Sequence, residues 1–176
     1  MDRRQRIRRV VLLCAHFARN MAYYRAGWDG LTLKRKEDFW KTINGNCLDI
    51  AVLEWCKLFA DRKDPHHWSN IATNPADFER LLLKAVEMSD VDFAAYIKVV
   101  RTYRDKFVAH LDDELVLRPP PLDTAWAAVR FYHDHVARVE AKTGDLVNFP
   151  ADLISYFGSS TIEAETYFGG PKSNTD

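Results

Sequence analysis

Two side chains near the middle of the chain have the types and spacing to act on a phosphodiester. Arg104 and His110 stand six positions apart in the run Tyr103-Arg104-Asp105-Lys106-Phe107-Val108-Ala109-His110-Leu111-Asp112. Cleaving RNA without a metal requires a proton to leave the ribose 2′-hydroxyl, a proton to reach the departing 5′-oxygen, and the phosphate's growing charge to be stabilised. An imidazole titrates near neutrality and can carry both protons. A guanidinium presents a planar fork that makes paired, charge-assisted hydrogen bonds to phosphate oxygens. Arg104 and His110 are therefore the candidate catalytic pair, with Arg101, Asp105 and Lys106 beside them as candidate substrate-binding residues. Helical geometry separates the pair, because six residues at about 100° each leave them roughly 120° apart around a straight axis. Tyr103, Lys106 and His110 share a face instead. The helix could loosen before His110, or the site could be assembled from two protomers. A purely structural role is also open: His110 would lie near a helix carboxyl terminus, where the dipole favours a cation and Asp112 or Asp113 offers a partner.

The Arg104-Asp105-Lys106-x-x-Ala109-His110 run resembles the signature of the HEPN superfamily, in particular its abortive-infection branch. The likeness is strongest over residues 90–115. It extends to Trp55-Cys56-Lys57-Leu58-Phe59 and to His66-His67-Trp68. Asp105 stands where the superfamily often carries Asn. The resemblance implies an all-α fold and a metal-independent ribonuclease of bacterial defence or toxin–antitoxin type, with His110 as general acid/base and Arg104 on the phosphate. It also implies a homodimer whose paired motif helices form one composite cleft. Family members that have lost catalysis imply a second reading, a helical interaction module that dimerises or binds a nucleotidyltransferase-type or antitoxin partner.

Charge suggests a third. The chain is neutral, with 25 Lys and Arg against 25 Asp and Glu, so bulk electrostatics will not gather nucleic acid. The distribution is uneven: residues 1–36 carry ten basic against two acidic side chains, residues 37–143 fourteen against eighteen, and residues 144–176 one against five. Arg3, Arg4, Arg6, Arg8 and Arg9 could form an RNA-binding stripe on the first helix, or simply its solvated start. Positive charge at a helix amino terminus opposes the macrodipole, so an acidic neighbour or a partner is expected to offset it.

The 176 residues suit one domain, expected over 1–170 with a disordered tail at 171–176, and the 47% apolar and 28% charged content is that of a globular protein. Cys14, Cys47 and Cys56 are odd in number and widely spaced, which reads as reduced core thiols in a cytoplasmic protein. The apolar run Val10–Ala15 is interrupted by His16, Arg19 and Arg25, so neither a leader nor a membrane span is expected. His66-His67 lacks companion ligands for a metal, His133 falls on an apolar helix face as a core histidine would, and no Gly-rich phosphate loop or nucleophile elbow occurs. No cofactor or metal is implied. Trp28, Trp40, Trp68, Tyr23 and Tyr24 could stack bases or pack in the core.

These side chains must be positioned by helices, because three-four spacing dominates the chain. The periodicity predicts an all-α, up-down bundle of four to five main helices with a short helical tail and no strands. Ile7, Val10, Val11, Cys14, Phe17, Ala18 and Met21 mark a first helix ending near Gly27. A second runs from Glu37 to about Asp61 with Ile43, Cys47, Ile50, Ala51, Trp55, Leu58 and Phe59 inward, and Gly45 is expected to permit close packing. Residues 62–73 read as a polar loop. Asn74-Pro75 caps a third helix reaching about Met88, and Ser89 with Asp92 opens a fourth whose stripe is Phe93, Tyr96, Ile97, Val100, Phe107 and Leu111. Pro119-Pro120-Pro121 makes a stiff spacer. A fifth helix follows with Leu122, Trp126, Val129, His133, Val136 and Val139 inward. Two short helical pieces are expected near 151–157 and 160–168.

Overall fold

A computed structural model describes residues 1–108 and 119–169. It is an all-α bundle built around one long helix. That helix, α1, spans Arg3–Ala26. The side chain of Asp2 accepts from the Gln5 amide and the Gln5 side chain accepts from the Asp2 amide, closing a capping box over the first turn. The apolar face of α1 supplies Val10, Val11, Cys14, Phe17, Ala18, Met21 and Ala22, each fully removed from solvent. The neighbours of α1 are α2 (Asp38–Phe59), α5 (Leu122–His135) and α6 (Leu153–Phe168). α3 (Pro75–Val86) packs on α5, and α4 (Asp90–Tyr103) on α2.

The caps expected at α3 and α4 are present. Asn74 accepts from the Asp77 amide with Pro75 in the first turn, and Ser89 accepts from the Asp92 amide. The Ser89–Asp92 arrangement is not a full capping box, since Ser89 Oγ donates to the Asp92 carboxylate at 2.6 Å. The core joins the helices through aromatic contacts: Trp55 stacks on Phe59 and meets the edge of Tyr96, and Phe78 meets Trp68, Phe131 and Tyr132.

Several expectations need correction. A two-residue antiparallel ribbon, β1 (Trp28–Asp29) with β2 (Thr32–Leu33), links α1 to α2 where no strand was expected. Gly30, at φ +56°, makes its turn. Gly45 is not a packing contact, because a Cβ there would meet nothing within 4 Å. The close approach lies at Gly27, where a Cβ would sit 2.2 Å from Nδ2 of the buried Asn44. Asn44 donates to the Tyr24 carbonyl and accepts from the Trp28 indole, tying α2 to the end of α1. Ile50 and Val139, expected inward, are exposed. The 62–73 segment is not merely polar: His66, His67, Trp68 and Ile71 are buried in it. The two short tail helices are one continuous α6, and Phe168 is buried against Ala26 and Trp40. Its neighbour Tyr167 is exposed. Residues 171–176 lie outside the described residues, as do Leu111 and His110.

Candidate functional site

α4 loses its α-helical register at the motif. From Arg104 to Val108 the backbone forms a π-helical turn, wider than the α-turn and rotating less per residue. The departure from α-helical geometry falls where a loosened helix was one of two ways to reconcile Arg104 with His110. His110 itself lies outside the described residues, so where its ring falls relative to Arg104 is not part of the described geometry. π-turns inside helices occur frequently at functional sites.

Arg104 is largely buried, with 16% of its side chain exposed, and two carboxylates hold it. Its Nη1 donates to Asp61 Oδ2 at 2.5 Å, and its Nε donates to Asp105 Oδ1 at 2.9 Å. Burial works against the cation, but the hydrogen bonds to Asp105 and Asp61 outweigh it and hold the guanidinium pKa above its ordinary value. Asp61 follows the carboxyl end of α2, where the helix dipole disfavours an anion; Arg104 compensates it. Beneath the pair lies the Cys56 thiol, fully buried and pushed up to about 12 by burial. It is an inert core thiol and no nucleophile.

The neighbouring motif residues diverge. Tyr103 is buried and donates to Asp49 Oδ1 at 2.8 Å, which anchors the end of α4 to α2. Burial, and then the bond to Asp49, raise the phenol pKa far above ordinary tyrosine. Lys106 is half-buried. Arg101 and Asp105 are exposed and face solvent along α4. Arg101 lines a groove of about 660 Å³ whose opposite wall is the Asp61-Arg62-Lys63 segment. Asp105 lines an adjoining depression of about 300 Å³ with Lys98, Arg101 and Thr102. Of the candidate residues, Arg101 and Asp105 border these solvent-open depressions, while Arg104 is held by Asp61 and Asp105 and lines neither. Sequence reasoning missed Asp61; no spacing signal links it to Arg104, 43 positions away.

The other sequence candidates are occupied in the fold. His66 Nδ1 is 2.7 Å from Asp64 Oδ1. His67 accepts from the Ser69 amide at Nδ1 and reaches the Phe59 carbonyl with Nε2, closing the end of α2. Burial lowers its pKa and favours the neutral ring that this bonding requires. His133 is buried, with Nε2 3.2 Å from the Pro150 carbonyl. Among the described residues no three metal-ligating side chains converge, and no helix is long and apolar enough to cross a membrane. Trp68 is buried on Phe78 and Trp40 packs on Phe168.

The amino-terminal arginines find acidic neighbours within the fold. Arg3 meets Glu140 and Arg4 meets Asp145, while Arg8 donates to the Asp145 carbonyl and lies over the Phe149 ring. Glu140 is a buried hub that also accepts from the Thr73 amide and hydroxyl and sits 3.0 Å from His135 Nε2. No protein-family model, curated protein or solved structure matches this chain.

Proposed function

We propose that this chain is a HEPN-like protein of bacterial defence or toxin–antitoxin type, a metal-independent endoribonuclease that works as a homodimer. The observation that supports the reading is the π-turn at Arg104–Val108, which interrupts the helix at the motif next to a solvent-open depression bordered by Arg101 and Asp105. Its chemistry follows from the residue types. The imidazole of His110 takes the proton of the ribose 2′-hydroxyl as that oxygen attacks phosphorus. The 5′-oxygen leaves, taking up a proton from an imidazolium, and the products are a 2′,3′-cyclic phosphate and a 5′-hydroxyl. Arg104, with guanidinium N–H groups beyond those given to Asp61 and Asp105, holds the phosphate oxygens as charge grows on them. The composite cleft of a dimer would supply the second imidazole.

Dimerisation finds support on α4 itself. Val91 and Val99 are 75% and 51% exposed, and Ala95 between them at the same helical spacing is exposed too. An apolar stripe on the motif helix suits a second copy. The test is cleavage of single-stranded RNA in the presence of chelator. The expected products carry cyclic phosphate ends, and a 2′-O-methylated RNA of the same sequence stays intact because it has no attacking hydroxyl. Cleavage of both RNAs would contradict the mechanism.

A second reading rests on one specific observation. Arg104 is held by two carboxylates, as a structural arginine would be. On that reading α4 is a docking face for a second copy or a nucleotidyltransferase-type or antitoxin partner, and no RNA is cleaved.

A further inference from the structure

We infer that the crease between α4 and the Asp61-Arg62-Lys63 segment is the path of the RNA backbone, gripped through phosphates by Arg62, Lys63, Lys98 and Arg101 and read without regard to base sequence. This rests on the ribonuclease reading and names how that site takes its substrate.

Three observations carry it. First, part of the positive charge that the sequence concentrates in the first helix is committed, since Arg3 and Arg4 meet Glu140 and Asp145 and Arg8 donates to the Asp145 carbonyl. The four cations of the crease are different. All are exposed, and none forms an ion pair with a described residue. Second, they line one surface. Arg62, Lys63 and Arg101 border the groove of about 660 Å³. Arg101 is shared with the adjoining depression of about 300 Å³, which Lys98 borders. The two acids on these walls, Asp61 and Asp105, are both paired to Arg104. Four exposed cations thus stand beside two anions whose charge Arg104 offsets in part, so the crease is electropositive in a neutral protein and focuses a polyanion. Third, among the described residues the only aromatic ring bordering either depression is Phe59, which is buried. The described walls therefore offer bases no stacking platform, and the affinity they supply comes from phosphate contacts.

Phosphate contacts leave a salt signature: for a single strand, the slope of log affinity against log salt falls by about 0.7 per cation lost. The experiment measures binding of a fluorescein-labelled 2′-O-methyl RNA 12-mer, which cannot be cleaved, by anisotropy from low to moderate salt. The native chain is compared with Arg62→Gln/Lys63→Gln and with Lys34→Gln/Lys36→Gln, which removes the same charge from exposed positions elsewhere. The expected result is about a ten-fold loss of affinity and a slope shallower by about 1.4 for the groove variant. The control changes less than two-fold, and two unrelated base sequences bind alike. No binding by the unmodified chain, equal losses in both variants, or unchanged binding in the groove variant overturns the inference. Failure here is separable from failure of the nuclease reading. Cleavage with unchanged groove binding removes this path and leaves the enzyme. Groove-dependent binding without cleavage keeps the path and removes the enzyme.

Discussion

The contact between Arg104 and Asp61 is where this chain's chemistry is either stored or foreclosed. An arginine with 16% of its side chain exposed and two carboxylate partners is well held, and a phosphate entering the crease must compete with Asp61 for the guanidinium. The two functional readings separate on Asp61→Asn. If Arg104 serves a phosphate, the amide loosens the competitor, and RNA affinity rises by about three- to ten-fold at a cost of about 1 kcal/mol in stability, as for a partly exposed pair. Affinity unchanged with the same loss of stability would place Arg104 in the scaffold. Arginine and histidine at this spacing were legible in the sequence, which left a loosened helix and a two-protomer site as alternatives. Asp61 was not legible, because the pair joins the end of α2 to the end of α4 and only the fold brings these together.

At the scale of elements, both long carboxyl-terminal turns are π-helical, Arg104–Val108 after α4 and Val136–Glu140 after α5. Each delivers a charged side chain to a polar cluster. Glu140 is the clearer structural case. Burial would raise its pKa, but the hydrogen bonds from Thr73 and His135 and the Arg3 charge together hold it below the ordinary glutamate value. A carboxylate whose pKa is lower in the folded state stabilises the protein above its unfolded pKa, and the stabilisation is lost as pH falls through the folded value. Thermal melts across acid pH should therefore show the native chain losing stability more steeply than Glu140→Gln. Parallel curves would mean that the hub contributes nothing through its charge. Gly27→Ala tests the other joint. Its Cβ would strike Asn44 Nδ2 and break the bond to the Tyr24 carbonyl, leaving a buried donor unpaired at a cost of about 1–3 kcal/mol. A melting temperature within 1 °C of the native chain, on the order of experimental scatter, would show that the joint relaxes freely. The capping residues Asn74 and Ser89 were readable because their partners lie three residues away. The joints at Asn44, Glu140 and His67 were not, since their partners lie on other elements. The sequence led to two short helical pieces near 151–157 and 160–168, yet α6 is continuous because its face is packed along α1.

At the scale of the molecule, periodicity was enough for the all-α bundle, but charge counted along the chain does not show which cations the fold pairs with acids. Arg3, Arg4 and Arg25 of the first helix meet acids in the fold, while Arg62, Lys63 and Arg101 border the groove near Arg104 without an ion pair to a described residue. The apolar stripe of Val91, Ala95 and Val99 on α4 leads to a prediction about assembly. Light scattering at micromolar concentration should report a dimer, and Val99→Asp should shift it to monomer and suppress cleavage together, because the composite site needs two motif helices. A monomer that still cleaves would break that link. The account as a whole turns on one imidazole acting on one phosphodiester. The most direct measurement is the rate of RNA cleavage in chelator by the native chain and by His110→Ala. The account predicts cyclic phosphate ends and a fall of about 10²–10⁴-fold on losing the imidazole. Equal rates in the two proteins, or no cleavage by the native chain, would contradict it.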